Sequence, residues 1–251
     1  MRRALATLAV LTLLAAACGG DDEAEAPSEP ILVLGAASLT DVFTDIAAEF
    51  EAANEGVTVD LSFGASSALA THIIEGAPAS VFASASGTQM TAVVDEGLND
   101  SEPVIFATNV LEIAVSTEAE GEMTTIDDFA NEALLLGLCV EDVPCGTFAI
   151  EMFDNAGITP SVDTFEPDVR ALLGKVESGE LDAGIVYHSD VVASAGGVVG
   201  VEIPDDQNVI AAYPIATLTE ATDAERAQAF VDFVMSDAGQ EILQGYGFSA
   251  P

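Results

Sequence analysis

From Ile31 onward the chain alternates between two hydrophobic periods. Ile31-Leu32-Val33-Leu34 is an unbroken apolar run ended by Gly35, the mark of a strand covered on both faces. Leu39, Val42, Phe43, Ile46 and Phe50 then recur at helical spacing, with Ser38 or Thr40 available as the cap. Val57, Val59 and Leu61 alternate as a second strand, and helices are predicted over 66–75 and 87–96 around a short strand at 80–85. Residues 103–116 form a long extended segment. Further on, the pattern predicts a short helix at 126–131 capped by Thr125, a strand at 133–138, a helix at 146–156 and a helix at 167–178 with Pro167 in its first turn. A proline there costs no hydrogen bond. Strands at 182–187, 198–203 and 211–218 follow, and helices at 224–235 and 238–246 close the chain.

This βα alternation predicts an α/β protein with mixed, mostly parallel sheets flanked by helices. The two long extended segments, near Asn109 and Tyr213, bracket a middle portion. The expected organisation is therefore two lobes joined by two crossovers: residues 31–108 with 214–251, and residues 109–213. The last two helices are expected to pack back on the first lobe.

The N-terminus follows a different pattern. Met1-Arg2-Arg3 is a short basic stretch, and 4–17 is an uncharged apolar run, shorter than the roughly 20 residues a membrane span needs. Ala15-Ala16-Ala17 precede Cys18, and Gly19-Gly20 follow it. Residues 1–18 read as an export signal with a lipoprotein box, in which Cys18 is lipidated and becomes the mature N-terminus. Ala15 stands where leucine is commoner. Residues 19–30, GGDDEAEAPSEP, have no apolar period and read as a flexible tether.

Charge changes the picture. The chain has 43 Asp and Glu against 5 Lys and Arg, a formal charge of −38, yet half its residues are hydrophobic. That excludes an acidic disordered chain and leaves ample material for a core. Such a polyanion does not hold nucleic-acid phosphates or an anionic bilayer by electrostatics, and at long range it repels small anions. Removing Arg2 and Arg3 with the signal takes the charge to about −40 and leaves Arg170, Lys175 and Arg226 as the basic residues. Adaptation to a salty medium and compositional drift of the lineage are both consistent with this bias.

Of three cysteines, Cys18 is assigned to the lipid. Cys139 and Cys145, six residues apart, lie in a chain destined for a compartment that permits disulfides. A disulfide is the leading reading; zinc, poorly served by two thiols without a nearby histidine, and two buried free thiols are the alternatives. A Cα separation of roughly 4.4–6.8 Å decides for the disulfide.

Motifs for catalysis are missing: the sequence has no GxSxG, Walker loop, GxGxxG or HExxH. His72 and His188 read as surface or boundary residues. Binding is better supported. In open α/β sheets ligands lie beyond the carboxyl ends of strands, where helix N-termini offer free N–H groups and a positive dipole end to an anion. Four such corners carry small or hydroxyl residues: Ala36-Ala37-Ser38, Gly64-Ala65-Ser66-Ser67, Pro144-Cys145-Gly146 and Pro167-Asp168-Val169. Tyr187 adds a phenol at a strand end.

Six blocks in order, AASLTDVFTDIAAEFE, SFGASSALA, EGAPASVFASAS, VPCGTFAIEMF, DVRALLGKVESGELDAGIVYHSD and GYGFS, resemble the periplasmic molybdate-binding proteins of ABC importers from about Ile31 to Ser249. The resemblance implies a two-lobed periplasmic-binding-protein fold that closes on a tetrahedral oxyanion held by neutral donors. It implies that Ser38 and Ser66 bind through hydroxyl and main-chain N–H, Cys145 and Val169 through main-chain N–H, and Tyr187 through its phenol. It also implies a non-enzymatic receptor without cofactor or directly bound metal ion, expected to be a monomer. That receptor is lipid-anchored outside the cytoplasmic membrane, and it delivers molybdate or tungstate to a membrane permease. Ser80 and Ser86 depart from the family pattern, which often has acids there. They are expected near the lobe edge with altered local hydrogen bonds. A receptor for another oxyanion such as sulfate, a secreted serine hydrolase and a structural envelope lipoprotein are the competing readings.

Overall fold

The computed structural model describes residues 29–251. Cys18, the export signal and the tether up to residue 28 lie outside the described residues. The strands are β1 (Ile31–Ala36), β2 (Val59–Gly64), β3 (Val81–Ala83), β4 (Val104–Ser116), β5 (Leu136–Cys139), β6 (Thr164–Glu166), β7 (Ala183–Tyr187), β8 (Val198–Glu202) and β9 (Ile210–Thr217). The helices are α1 (Thr40–Ala53), α2 (Ser66–Ile74), α3 (Gly87–Asp95), α4 (Pro144–Ala156), α5 (Val169–Glu177), α6 (His188–Ala193), α7 (Ala224–Met235) and α8 (Asp237–Gly245). Two 3₁₀ turns, Ala37–Leu39 and Ile126–Ala130, complete the list.

The strands form one curled sheet in the order β2-β1-β3-β9-β4-β7-β5-β6, with β8 also pairing β4. β1 pairs in parallel with β2 and β3, and β5 pairs in parallel with β6 and β7. β4 and β9 are antiparallel to their neighbours. β4 changes partners along its length: Val104–Val110 pair with β9, and Leu111–Ser116 pair with β7 and β8. The two parallel triplets are thus linked through long antiparallel strands. That follows from sequence, since parallel strands need helical crossovers while a 13-residue apolar strand can serve two neighbourhoods.

α7 and α8 pack on α1, as the sequence predicts. α7 supplies the aromatic contacts: Phe230 meets Phe43 and Phe50 with centroids 6.1 and 5.4 Å apart, and Phe233 meets Phe50 at 5.6 Å. α1 buries Val42, Phe43, Ile46, Ala47 and Phe50, the stripe read from its spacing.

Several predicted boundaries move. Neither Ser38 nor Thr40 caps α1: Ser38 lies in the 3₁₀ turn with its hydroxyl on Tyr213, and Thr40 Oγ1 donates to Ala37 O at 2.7 Å. α5 starts at Val169, so Pro167 precedes it; Asp168 is the cap, its Oδ1 accepting from Ala171 N at 2.9 Å. α4 starts at Pro144, which places Cys145 and Gly146 inside its first turn. The predicted strand at 133–138 begins only at Leu136, because Asn131 and Asp182 side chains take the N–H groups of Ala133 and Leu135 into a turn. Ser80 and Ser86 are buried. Ser86 caps α3, accepting from Thr88 N at 3.2 Å, and Ser80 Oγ accepts from Leu32 N at 3.3 Å.

Candidate functional site

Register builds one half of the site. β1 and β2 are parallel and aligned so that Ala36 faces Gly64. Ser38 and Ser66 each stand two residues beyond that pair, so the two chain corners leave the sheet side by side. β3 lies on the other side of β1, and its continuation brings Ala85 N to Ser66 Oγ at 3.0 Å. The other half repeats this logic. Cys139 of β5 faces Glu166 of β6, and the chains run on into α4 and α5.

These elements meet at a small cavity. Ser38, Ser66, Cys145, Val169 and Tyr187 all line it, with Ala37, Ala65, Ala85, Pro144 and Asp168 among their neighbours. All five residues singled out in the sequence therefore line one cavity, drawn from both parallel triplets. The cavity leaves about 20 Å³ for the centre of a water-sized sphere, little more than one water requires. That is room for a small ion and too little for a sugar or a peptide.

The polar groups are arranged to donate. Ser66 and Val169 are first residues of α2 and α5, where helix geometry provides no intrahelical acceptor for the N–H. Pro144 has no N–H, so Cys145 is the first donor of α4. Ser66 Oγ already accepts from Ala85 N, which leaves the hydroxyl hydrogen of Ser66 free. The Tyr187 hydroxyl is buried and, among the described residues, makes no hydrogen bond of ordinary geometry, although the Tyr213 hydroxyl lies close enough to interact with it. Burial first, then the nearby Tyr213 and Asp190, push that phenol well above its ordinary range, so it stays a donor. Among the described residues no Lys, Arg or His lines the cavity, and the half-buried Asp168 does.

Cys139 and Cys145 form a disulfide with Cα atoms 5.8 Å apart, inside the required window. It ties the end of β5 to the first turn of α4. Gly146 is packed so tightly there that a Cβ would lie 1.9 Å from Val140 O.

The histidines are elsewhere. His72 is exposed, and His188 Nδ1 lies 2.6 Å from Glu112 Oε2. Three contributors escaped the sequence reading. Asp190, fully buried in α6, accepts Tyr187 N on Oδ2 at 3.0 Å. Tyr213 meets Ser38 across the cavity's back wall at 2.9 Å. Arg170 reaches Asp41 at 2.9 Å. Only Arg170, in the DVR block, carried a local signal.

Two linked groups of strands with a small donor-lined cavity between helix N-termini define a two-lobed α/β solute-binding protein. A family model described as bacterial extracellular solute-binding protein matches residues 31–249, and the chain belongs to that family. The molybdate-binding protein ModA of Mycobacterium tuberculosis is 37% identical over 241 residues, covering 94% of this chain and 92% of its own length. ModA of Escherichia coli is 36% identical over 233 residues, covering 87% of this chain and 88% of its own. In fold, the periplasmic molybdate-binding protein of Azotobacter vinelandii superposes with a TM-score of 0.80 at 17% identity, over 88% of this chain and 99% of its own.

Proposed function

We propose that this protein is the extracytoplasmic receptor of a molybdate importer. It binds molybdate or tungstate and hands the anion to a membrane permease. Ser38, Ser66, Cys145, Val169 and Tyr187 are the anion's donors. The lobes, 31–108 with 214–251 and 109–213, close around it, and binding shifts that equilibrium by its preference for the closed form. Cys18 anchors the exported monomer to the membrane through lipid, with 19–30 as the tether. Molybdate is cargo, and the protein performs no chemistry on it.

The observation that carries this reading is the buried phenol of Tyr187, which lines a cavity of one-ion size and makes no hydrogen bond of ordinary geometry among the described residues. Burying a hydroxyl without such a bond costs about 1–3 kcal/mol, a cost that an anion accepting its proton removes. The relatives named for molybdate binding supply the ion's identity. A serine hydrolase finds no support here: Ser38 and Ser66 bond to a phenol and a backbone N–H, and among the described residues neither is hydrogen-bonded to a His, Asp or Glu. Cavity size must distinguish molybdate from sulfate, since both are dianions.

Melting of the purified protein with molybdate, tungstate, sulfate or phosphate tests the proposal. A ligand that binds only the folded state at 100 times its Kd adds about 2.7 kcal/mol. Molybdate and tungstate are expected to raise the midpoint well above the other two. Equal midpoints in all four anions would sink it.

A further inference from the structure

Tyr213 stands directly behind Ser38. It lies on β9, fully buried, its ring edge-on to Phe106, Tyr187 and Phe248 at 6.2, 6.0 and 5.4 Å. Its hydroxyl is 2.9 Å from Ser38 Oγ. A pair of hydroxyls places one hydrogen between them, so either the phenol donates to the serine or the reverse. Ser38 lines the cavity and Tyr213 does not. If Ser38 donated inward, its only hydrogen would be spent and its lone pairs would face the anion. If Tyr213 donates, the Ser38 hydrogen is free to point into the cavity. The phenol is also the stronger acid of the two and the better donor. Ser66 is likewise already filled as an acceptor, by the Ala85 N–H.

We propose that Tyr213 is a positioning residue for oxyanion binding: its phenol donates to Ser38 Oγ and thereby fixes Ser38 as a donor to the anion. This rests on the reading of the cavity as an oxyanion site. Burial raises the phenol's pKa, so it keeps its proton across the whole working pH range.

The test is molybdate calorimetry on four proteins: wild type, Ser38→Ala, Tyr213→Phe and the double variant. Ser38→Ala is expected to weaken binding about tenfold or more, and Tyr213→Phe about two- to tenfold, the worth of one neutral hydrogen bond. The double variant is expected to bind no more weakly than Ser38→Ala, because no hydroxyl remains to be oriented. A purely structural Tyr213 gives multiplying losses instead. That result, or an unchanged Kd in Tyr213→Phe, overturns the proposal. Absence of binding by wild type is a failure of the receptor reading, and the positioning role falls with it. Should Tyr213→Phe not fold, the hydroxyl proton of Tyr213 in wild type is read by NMR. It is expected to exchange slowly and to shift on adding molybdate. A resonance unmoved at saturating molybdate overturns the positioning role.

Discussion

Arg170 Nη1 lies 2.9 Å from Asp41 Oδ2, and this ion pair joins the first turns of α5 and α1. Asp41 stands three residues after Ser38, and Arg170 directly follows Val169. Of the three basic side chains in residues 29–251, Lys175 pairs with Glu166 and Glu180, and Arg226 with Asp223 one helical turn away. Arg170 alone reaches from one parallel triplet's helices to the other's. A half-exposed pair is worth little to overall stability, but under the proposed closing of the lobes it forms as they meet and acts on release. Arg170→Gln is expected to speed molybdate dissociation about 1.5- to fivefold, with association little changed. A chase of radiolabelled molybdate with excess unlabelled molybdate measures it. An unaltered dissociation rate argues against a closing role for the pair.

Removing both serine hydroxyls tests the donor set. Each hydrogen bond to a charged partner is worth roughly 1.5–3 kcal/mol, so Ser38→Ala with Ser66→Ala is expected to weaken molybdate binding by at least about a hundredfold. Circular dichroism checks that the variant is folded. Retained affinity moves the anion to another place.

Asp190 makes stability depend on pH. Burial lifts its carboxyl to about 7, against the opposing effects of the Tyr187 N–H and the Arg170 guanidinium, while Asp41 and Asp168 add to the rise. The folded value is above the ordinary 3.8, so the fold favours the protonated acid. That contribution is complete below about pH 4 and is lost as pH climbs through 7. Asp190→Asn keeps an acceptor for Tyr187 N and does not titrate. Its melting midpoint relative to wild type is expected to rise between pH 5 and pH 8.5, by about 2–4 °C for each kcal/mol. A difference that is the same at both pH values contradicts this origin.

The disulfide holds a donor in place. Reducing Cys139–Cys145 with a dithiol frees the first turn of α4. The expected cost is about 2 kcal/mol of stability, with a several-fold weaker affinity for molybdate because Cys145 N–H is no longer pre-ordered. Titration before and after reduction reads both. Unchanged affinity with lowered stability limits the bridge to a structural role.

Much of this was legible in the sequence, for local reasons. The βα alternation, the two crossing strands and the corners at Ser38, Ser66, Cys145 and Val169 are each written within a dozen residues. β6 and α6, three and six residues long, are too short to show a period. Pro167 misled because a capping Asp168 follows it and outweighs the proline as a start signal. Tyr213 was invisible as a site residue, since it joins Ser38 across 175 positions and sits in an apolar run that reads as strand. Asp190 was one of 43 carboxylates, and only burial separates it from the rest. The charge of −38 pointed away from an anion ligand. It describes the surface, where salt screens it beyond about 8 Å, while the cavity presents neutral donors at contact range.

Isothermal titration of the purified protein with molybdate and then with sulfate is the most direct measurement. One molybdate per chain is expected to bind with measurable heat at micromolar protein, to bind at least about a hundredfold more weakly in the Ser38→Ala, Ser66→Ala double variant, and to resist competition by millimolar sulfate. No heat with molybdate, or equal affinity for sulfate, contradicts the assignment of this cavity to molybdate.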